Sequence, residues 1–142
     1  MRLTAFTDFG LRALMRLAGE PERSFTTDEI ATEFAISRHH LTKIANELVR
    51  GGFLTAVRGR NGGLKLARPA TSINVADVVR FCESSAPLVE CFDPKTNKCV
   101  ITPHCTLKTI LFSAESAFYA ALAAHTLADL MVHGAELRNI LN

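Results

Sequence analysis

No stretch of this sequence approaches the roughly 18 uninterrupted apolar residues that a bilayer-spanning helix requires. A membrane-spanning helix is therefore excluded, and no membrane partner is expected. A secretory signal is also missing: the opening MRLTAFTDFGLRALMRLAG reads as an amphipathic helix, without an apolar centre or a cleavage site. The expectation is a cytoplasmic protein. In that reducing compartment its four cysteines stay free, metal-bound or redox-active rather than paired as structural disulfides. Internal repeats and low-complexity segments are absent, and no oxyanion-type motif accompanies a cysteine, so a cysteine-dependent enzyme is not expected. Net charge is scarce as well, at +2, and decides little by itself.

The distribution of that charge says more. Between Arg38 and Arg68 lie seven basic residues (Arg38, Lys43, Arg50, Arg58, Arg60, Lys65 and Arg68) against the single acid Glu47. This window carries +6, which leaves −4 for the rest of the chain. A basic third on an acidic body is either a solvated charged face or the footprint of a polyanion partner. At 142 residues, 48% hydrophobic and 21% charged, the chain suits one folded domain with room for an added dimerisation helix.

Apolar spacing predicts a first helix over Thr7–Ala18, stopped by Gly19 and Pro21. Thr26 and Glu29 have the spacing of a capping box and open a second helix that ends near Ile36. Ser37 caps a third, with Leu41, Ile44, Ala45 and Leu48 facing inward, ending at Gly51-Gly52. Two helices joined by so brief a turn make a helix-turn-helix candidate. Phe53–Val57 and Leu64–Ala67 then read as two strands around a glycine-rich turn, a wing with Arg58, Arg60 and Asn61 at its tip. On this reading double-stranded DNA is the partner. Ser37, Arg38, His39, His40 and Lys43 lie near the exposed half of the reader helix, and Arg58, Arg60 and Asn61 reach the neighbouring minor groove.

Asn74 caps a fourth helix, Val75–Glu83, with Cys82 on its apolar face as a core residue. An irregular stretch follows, too long for a compact domain unless it has a task. A long helix over Leu107–Ala124 carries the stripe Leu107, Ile110, Leu111, Ala114, Ala117, Phe118, Ala121 and Leu122, suited to a homodimer seam or to packing on its own domain. Thr126 opens a short last helix, Leu127–Val132. The expected fold is mainly α with a small β-wing: a winged helix-turn-helix over 1–83, a cysteine loop over 84–106, and a dimerisation helix with a short terminal helix over 107–142.

Seven residues separate Cys91 from Cys99, and five separate Cys99 from Cys105. A mononuclear zinc site prefers two to four intervening residues, whereas thiolates spread along a loop can each reach a different iron of a polynuclear cluster. Zinc bound by the three cysteines and His104, and reversible thiol oxidation, remain alternatives.

Taken together, MRLTAFTDFGLRALMRLA, SRHHLTKIANELVRGGFL, VRGRNGGLKLARPA and ITPHCTLK resemble the Rrf2 family of bacterial regulators over nearly the whole chain. The opening segment, the wing and ITPHCTLK look most like its nitric-oxide-sensing branch. The resemblance implies a homodimeric winged-helix repressor with a cluster of the 4Fe-4S type (2Fe-2S being the alternative) that loses DNA affinity when nitric oxide attacks it, and that reads a pseudo-palindromic operator. It also implies Asp8 of the partner subunit as fourth cluster ligand beside Cys91, Cys99 and Cys105. Against that stands the plainer role of Asp8 as a helix-dipole partner, and His104 and Cys82 are rivals for the ligand position. The cluster-homeostasis branch uses a histidine three residues after the last cysteine, where this chain has Lys108. The long first cysteine gap resembles iron-responsive members instead, so iron or redox sensing is the alternative function.

Overall fold

In the computed structural model, which describes residues 3–84 and 87–141, α1 (Ala5–Gly19), α2 (Thr27–Glu33) and α3 (Arg38–Arg50) precede a hairpin of β1 (Leu54–Val57) and β2 (Gly63–Leu66). Then come α4 (Val75–Glu83), α5 (Thr106–Ala123) and α6 (Gly134–Leu141). The mainly α fold with a small β-wing is the architecture expected from the sequence.

Local signals placed most helix starts. Thr26 and Glu29 form a full capping box: Thr26 Oγ1 accepts the Glu29 N–H at 3.2 Å and Glu29 Oε2 accepts the Thr26 N–H at 2.7 Å. Ser37 Oγ accepts the His40 N–H at 3.4 Å, and Asn74 Oδ1 accepts that of Ala76 at 2.9 Å. Three elements differ from expectation by more than one residue. α1 begins earlier, at Ala5 rather than Thr7, with Thr4 as its cap, and Thr7 is buried inside the first turn. α2 stops at Glu33, because Ala35 takes a left-handed conformation (φ 52°) that turns the chain and drives Ile36 into the core. Near the C-terminus a single tight turn, Asp129–Met131, replaces the expected helix, and α6 follows as a separate element.

The core draws on α1 to α4 and the wing: Leu14 and Leu17 of α1, Ile30 of α2, Leu41, Ile44 and Leu48 of α3, Leu54 of β1 and Val78 of α4, all nearly inaccessible. Burying each such side chain contributes about 1.5–3 kcal/mol. Leu127 belongs to the same core, because the chain after α5 returns to pair with the segment before α4: Leu127 N–H donates to Ile73 O at 2.8 Å and Val75 N–H to His125 O at 3.0 Å. Among the described residues Arg16 is the one buried charged side chain. Its guanidinium meets Glu20 and Glu33, both at 2.7 Å, and lies over the Phe25 ring.

The wing is an antiparallel pair in register Leu54↔Leu66 to Val57↔Gly63. Phe25 docks on its inner edge, exchanging hydrogen bonds with Leu64 at 3.0 and 2.7 Å. A β-carbon on Gly63 would lie 2.6 Å from the Phe25 carbonyl oxygen, so this close approach requires glycine.

Candidate nucleic-acid interface and cysteine loop

The α2–α3 pair projects the N-terminal half of α3 from the body, since its buried face is spent on Leu41, Ile44, Ala45 and Leu48. Ser37, Arg38, His39 and Lys43 are exposed and His40 is half-buried. Arg38 is held by Asp28 at 2.7 Å, with most of its side chain still in solvent. The wing carries Arg58, Arg60 and Asn61, all exposed, and Ser24 Oγ donates to the Asn61 carbonyl at 2.8 Å, tying the tip to the body. The structure thus brings both sets of expected DNA-contacting residues to the surface. Of the seven basic residues in the window, Lys43, Arg58 and Arg60 form no ion pair among the described residues, while Arg50 is engaged by Glu47 at 2.7 Å. Lys65 donates to the Glu22 carbonyl at 2.6 Å, and Arg68 covers Phe53. Within this window, the cations without an ion pair or hydrogen bond among the described residues lie on the reader helix and at the wing tip, where phosphates would be met.

Cys91, Cys99 and Cys105 are free and half-buried. Cys91 sits in a tight turn, Glu90–Phe92, whose Phe92 packs edge-on against Phe112 of α5. Around Cys99 the loop is braced by Asn97 Oδ1, which accepts the Cys99 N–H at 3.0 Å, and by Thr102 Oγ1, which donates to the Cys99 carbonyl at 2.8 Å. Cys105 is the cap of α5, and its Sγ accepts the Lys108 N–H at 3.4 Å. The sulfur thus stands at the helix start, with its position fixed by the first turn of α5. Among the described residues no three His, Cys, Asp or Glu side chains converge as one ion would require. Thiols spread along a braced loop suit a polynuclear iron–sulfur group, in which each iron takes its own thiolate and hydrogen bonds to sulfur tune the site. The donor set fits such a group.

The rival ligands separate by environment. Cys82 is buried on α4, and burial, with the charge of Glu83 adding to it, pushes its thiol up to about 11. That makes it the core residue expected from its helical position and a poor source of thiolate. His104 is exposed, on the turn Thr102–His104. Asp8 lies in the first turns of α1, half-exposed, and its carboxylate meets Arg12 in a two-point ion pair.

Sequence reasoning missed Arg12 and Glu83. Glu83 Oε1 accepts the Thr4 N–H at 2.8 Å, the Thr4 hydroxyl at 2.9 Å and the Thr7 hydroxyl. Burial raises its pKa, but these hydrogen bonds outweigh burial and hold the carboxyl below the usual glutamate range. The contact between Phe9 and His40, edge-on at 5.5 Å, joins α1 to the reader helix and was also not foreseen.

On α5 the expected apolar stripe divides in two. Leu111, Phe118 and Leu122 are half-covered by the body of the chain. Leu107, Ile110, Ala114, Ala117 and Ala121 are exposed, and they recur in steps of three and four. That is the spacing of a helix-to-helix seam.

A family model described as "Rrf2: Iron-dependent Transcriptional regulator" matches residues 3–133. The HTH-type transcriptional regulator NsrR of Geobacillus kaustophilus is 44% identical over 142 residues, covering 99% of this chain and 97% of that protein. The regulator of the same name from Halalkalibacterium halodurans is 40% identical, with 99% and 97% covered. In shape the chain is similar to T. potens IscR, with a TM-score of 0.75 over 92% of this chain and 86% of that one; at 23% identity this likeness concerns the fold.

Proposed function

The chain belongs to the Rrf2 family of transcriptional regulators, and we propose that it is a cytoplasmic, homodimeric repressor whose operator affinity is governed by an iron–sulfur cluster responsive to nitric oxide. Regulation of transcription through DNA is the family's activity, and its members are not enzymes. The observation that carries the finer reading is the braced loop with three half-buried thiols, ending where Cys105 accepts an amide proton at the start of α5.

Cys91, Cys99 and Cys105 hold the cluster, of the 4Fe-4S type, and Asp8 of the partner subunit completes it. When bound, the cluster would supply an iron open to a strong ligand such as nitric oxide, since the Asp8 carboxylate would be a weaker partner for it than the cysteine thiolates. Asp8 on this chain has Arg12 as its alternative partner, one helical turn away. Asp8 would be shared between Arg12 and the cluster, and it directly precedes Phe9, which contacts His40 of the reader helix.

Ser37, Arg38, His39, His40 and Lys43 address the major groove, and Arg58, Arg60 and Asn61 the neighbouring minor groove. Two heads related by a twofold axis read a pseudo-palindromic operator. The exposed half of the α5 stripe is the dimer seam.

The test is anaerobic purification followed by iron and sulfide analysis, visible spectra and operator binding during a nitric-oxide titration. Brown protein whose operator affinity falls as its spectrum bleaches is the expected result. A colourless, zinc-loaded protein, or affinity indifferent to loss of the cluster, would overturn the proposal.

A further inference from the structure

Thr4 and Glu83 are 79 residues apart in sequence, and Thr7 and Glu83 are 76 apart, yet one carboxylate oxygen collects three donors from the start of α1. Glu83 is the last residue of α4, and the chain runs on from it to Cys91. Thr4 is the cap of α1, and its hydroxyl works twice: it accepts the Thr7 N–H at 3.3 Å and donates to Glu83. The Asp8 N–H donates to the Thr4 carbonyl at 3.1 Å, so the residue after Thr7 is seated by the same turn. An anionic oxygen at a helix start gains from the helix dipole, and charge-assisted hydrogen bonds are stronger than neutral ones.

What lies beyond this contact gives it consequence. At Gly10, α1 has Ile44 and Leu48 of α3 and Cys82 of α4 within 4 Å of where a β-carbon would stand. One residue earlier, Phe9 meets His40 of α3. The first turns of α1 are thus packed between the end of α4 and the reader helix, with little room to slide independently of either. A chain of contacts runs from the end of α4 through the start of α1 to His40.

We propose that Glu83 is a positioning residue that ties the entry of the cysteine loop to the cap of α1, so that order in the loop is transmitted to the reader helix through Thr4, Thr7 and Phe9. This rests on the reading that the loop thiolates hold a cluster governing DNA affinity. Without Glu83 the loop still presents its three cysteines, but the loop's state no longer reaches α3.

The experiment measures operator affinity by fluorescence anisotropy for the full chain and for Glu83→Ala, each with cluster and cluster-free. Alongside it, hydrogen exchange at the Asp8 amide is followed in the cluster-free proteins. Coupled sites typically differ by about 5- to 150-fold in affinity. Glu83→Ala should collapse the cluster-dependent difference, its loaded form falling to the affinity of the cluster-free protein, while the cluster-free forms of both proteins bind alike. The Asp8 amide should exchange faster in the variant. A merely structural role lowers both states equally, and that result overturns the proposal, as does a loaded variant that binds like the parent or an unchanged Asp8 amide. If the parent itself binds equally with and without cluster, the reading beneath the proposal fails, and the proposal with it. Should Glu83→Ala fail to fold by circular dichroism, Thr7→Val, which removes one donor at constant volume, must give the same collapse in smaller degree, and Glu83→Gln, which keeps an acceptor oxygen, must restore part of the difference.

Discussion

Asp8 and Arg12 face each other one turn apart on α1, with Nε 3.0 Å from Oδ1 and Nη2 2.6 Å from Oδ2. About half of each side chain is exposed. A solvent-exposed pair at this spacing stabilises a helix by only about 0.3–0.5 kcal/mol. Its value to the fold is small, so a large effect of changing either residue must come from elsewhere.

Asp8→Ala should therefore leave the thermal midpoint of the cluster-free protein almost unchanged. In the loaded protein it should hasten bleaching in air and weaken operator binding. Arg12→Gln should do the reverse to cluster lifetime, since it removes the competitor for the Asp8 carboxylate. Visible absorbance decay and anisotropy on the same samples decide the matter. Identical lifetimes in the parent and both variants would remove Asp8 from the ligand set.

Arg58 and Arg60 make no ion pair among the described residues and stand at the exposed wing tip. If they meet the DNA backbone or a narrow minor groove, their loss weakens binding in a salt-dependent way. Each phosphate contact removed lowers the slope of log affinity against log salt by about 0.9. The Arg58→Ala, Arg60→Ala double variant should shallow that slope by about 2, measured between low and moderate salt. Lys43→Ala on the reader helix should act differently if it reads a base edge: a loss of discrimination between operator and scrambled DNA. A double variant with the parental slope would show that the wing does not touch DNA.

The capping box gives a prediction about acid. Hydrogen bonds from the Thr26 backbone and hydroxyl, with Arg23 adding to them, hold Glu29 below its usual 4.5. A carboxylate with a depressed folded-state pKa contributes fully above its unfolded value and loses that contribution as pH falls through the folded one. The parent should thus lose stability as pH drops below about 4.5, and Glu29→Gln should show a flatter acid limb in pH-dependent thermal melts. Thr26→Ala should cost about 0.5–2 kcal/mol at neutral pH. An acid limb unchanged by Glu29→Gln would mean that the box is formed equally in the unfolded chain.

The contrast between Thr26 and Thr4 explains what the sequence could and could not tell. Thr26, Ser37 and Asn74 are caps whose partners lie two or three residues away, so their spacing is enough to find them. Thr4 also caps locally, accepting the Thr7 N–H at 3.3 Å, but Glu83 anchors it from the far end of the fold, and no window of neighbouring residues contains that second contact. Ala35 misled for a related reason: the chain accepts a left-handed alanine to seat Ile36 in the core, a tertiary gain that local propensity does not register. For the site, Cys91, Cys99 and Cys105 announced themselves by spacing, and the reader and wing cations by density. Asp8 came to notice through family resemblance alone. Arg12 was invisible, because an acid and a base four residues apart on a helix are commonplace.

The exposed half of α5 yields the last prediction. Leu107 and Ile110 are 60% and 59% exposed, and with Ala114, Ala117 and Ala121 they form a continuous apolar strip on a helix with no buried residue. An isolated apolar side chain at the surface needs no explanation, but a strip in heptad steps marks a surface for another helix. Alanines at 114, 117 and 121 permit close approach, and the larger residues at 107 and 110 widen the strip at its N-terminal end. The expected partner is a second copy, the commonest soluble assembly being a twofold dimer. Ile110→Glu, alone or with Ala117→Glu, should convert the dimer to a monomer in sedimentation velocity at micromolar concentration, because each carboxylate would be buried without a partner. The helix itself should persist by circular dichroism, since both positions face solvent within one chain. A monomer engages one half-site, so operator affinity should fall steeply while affinity for a single half-site is retained. A parent chain that already sediments as a monomer, or a double variant that remains dimeric, would move the seam off α5.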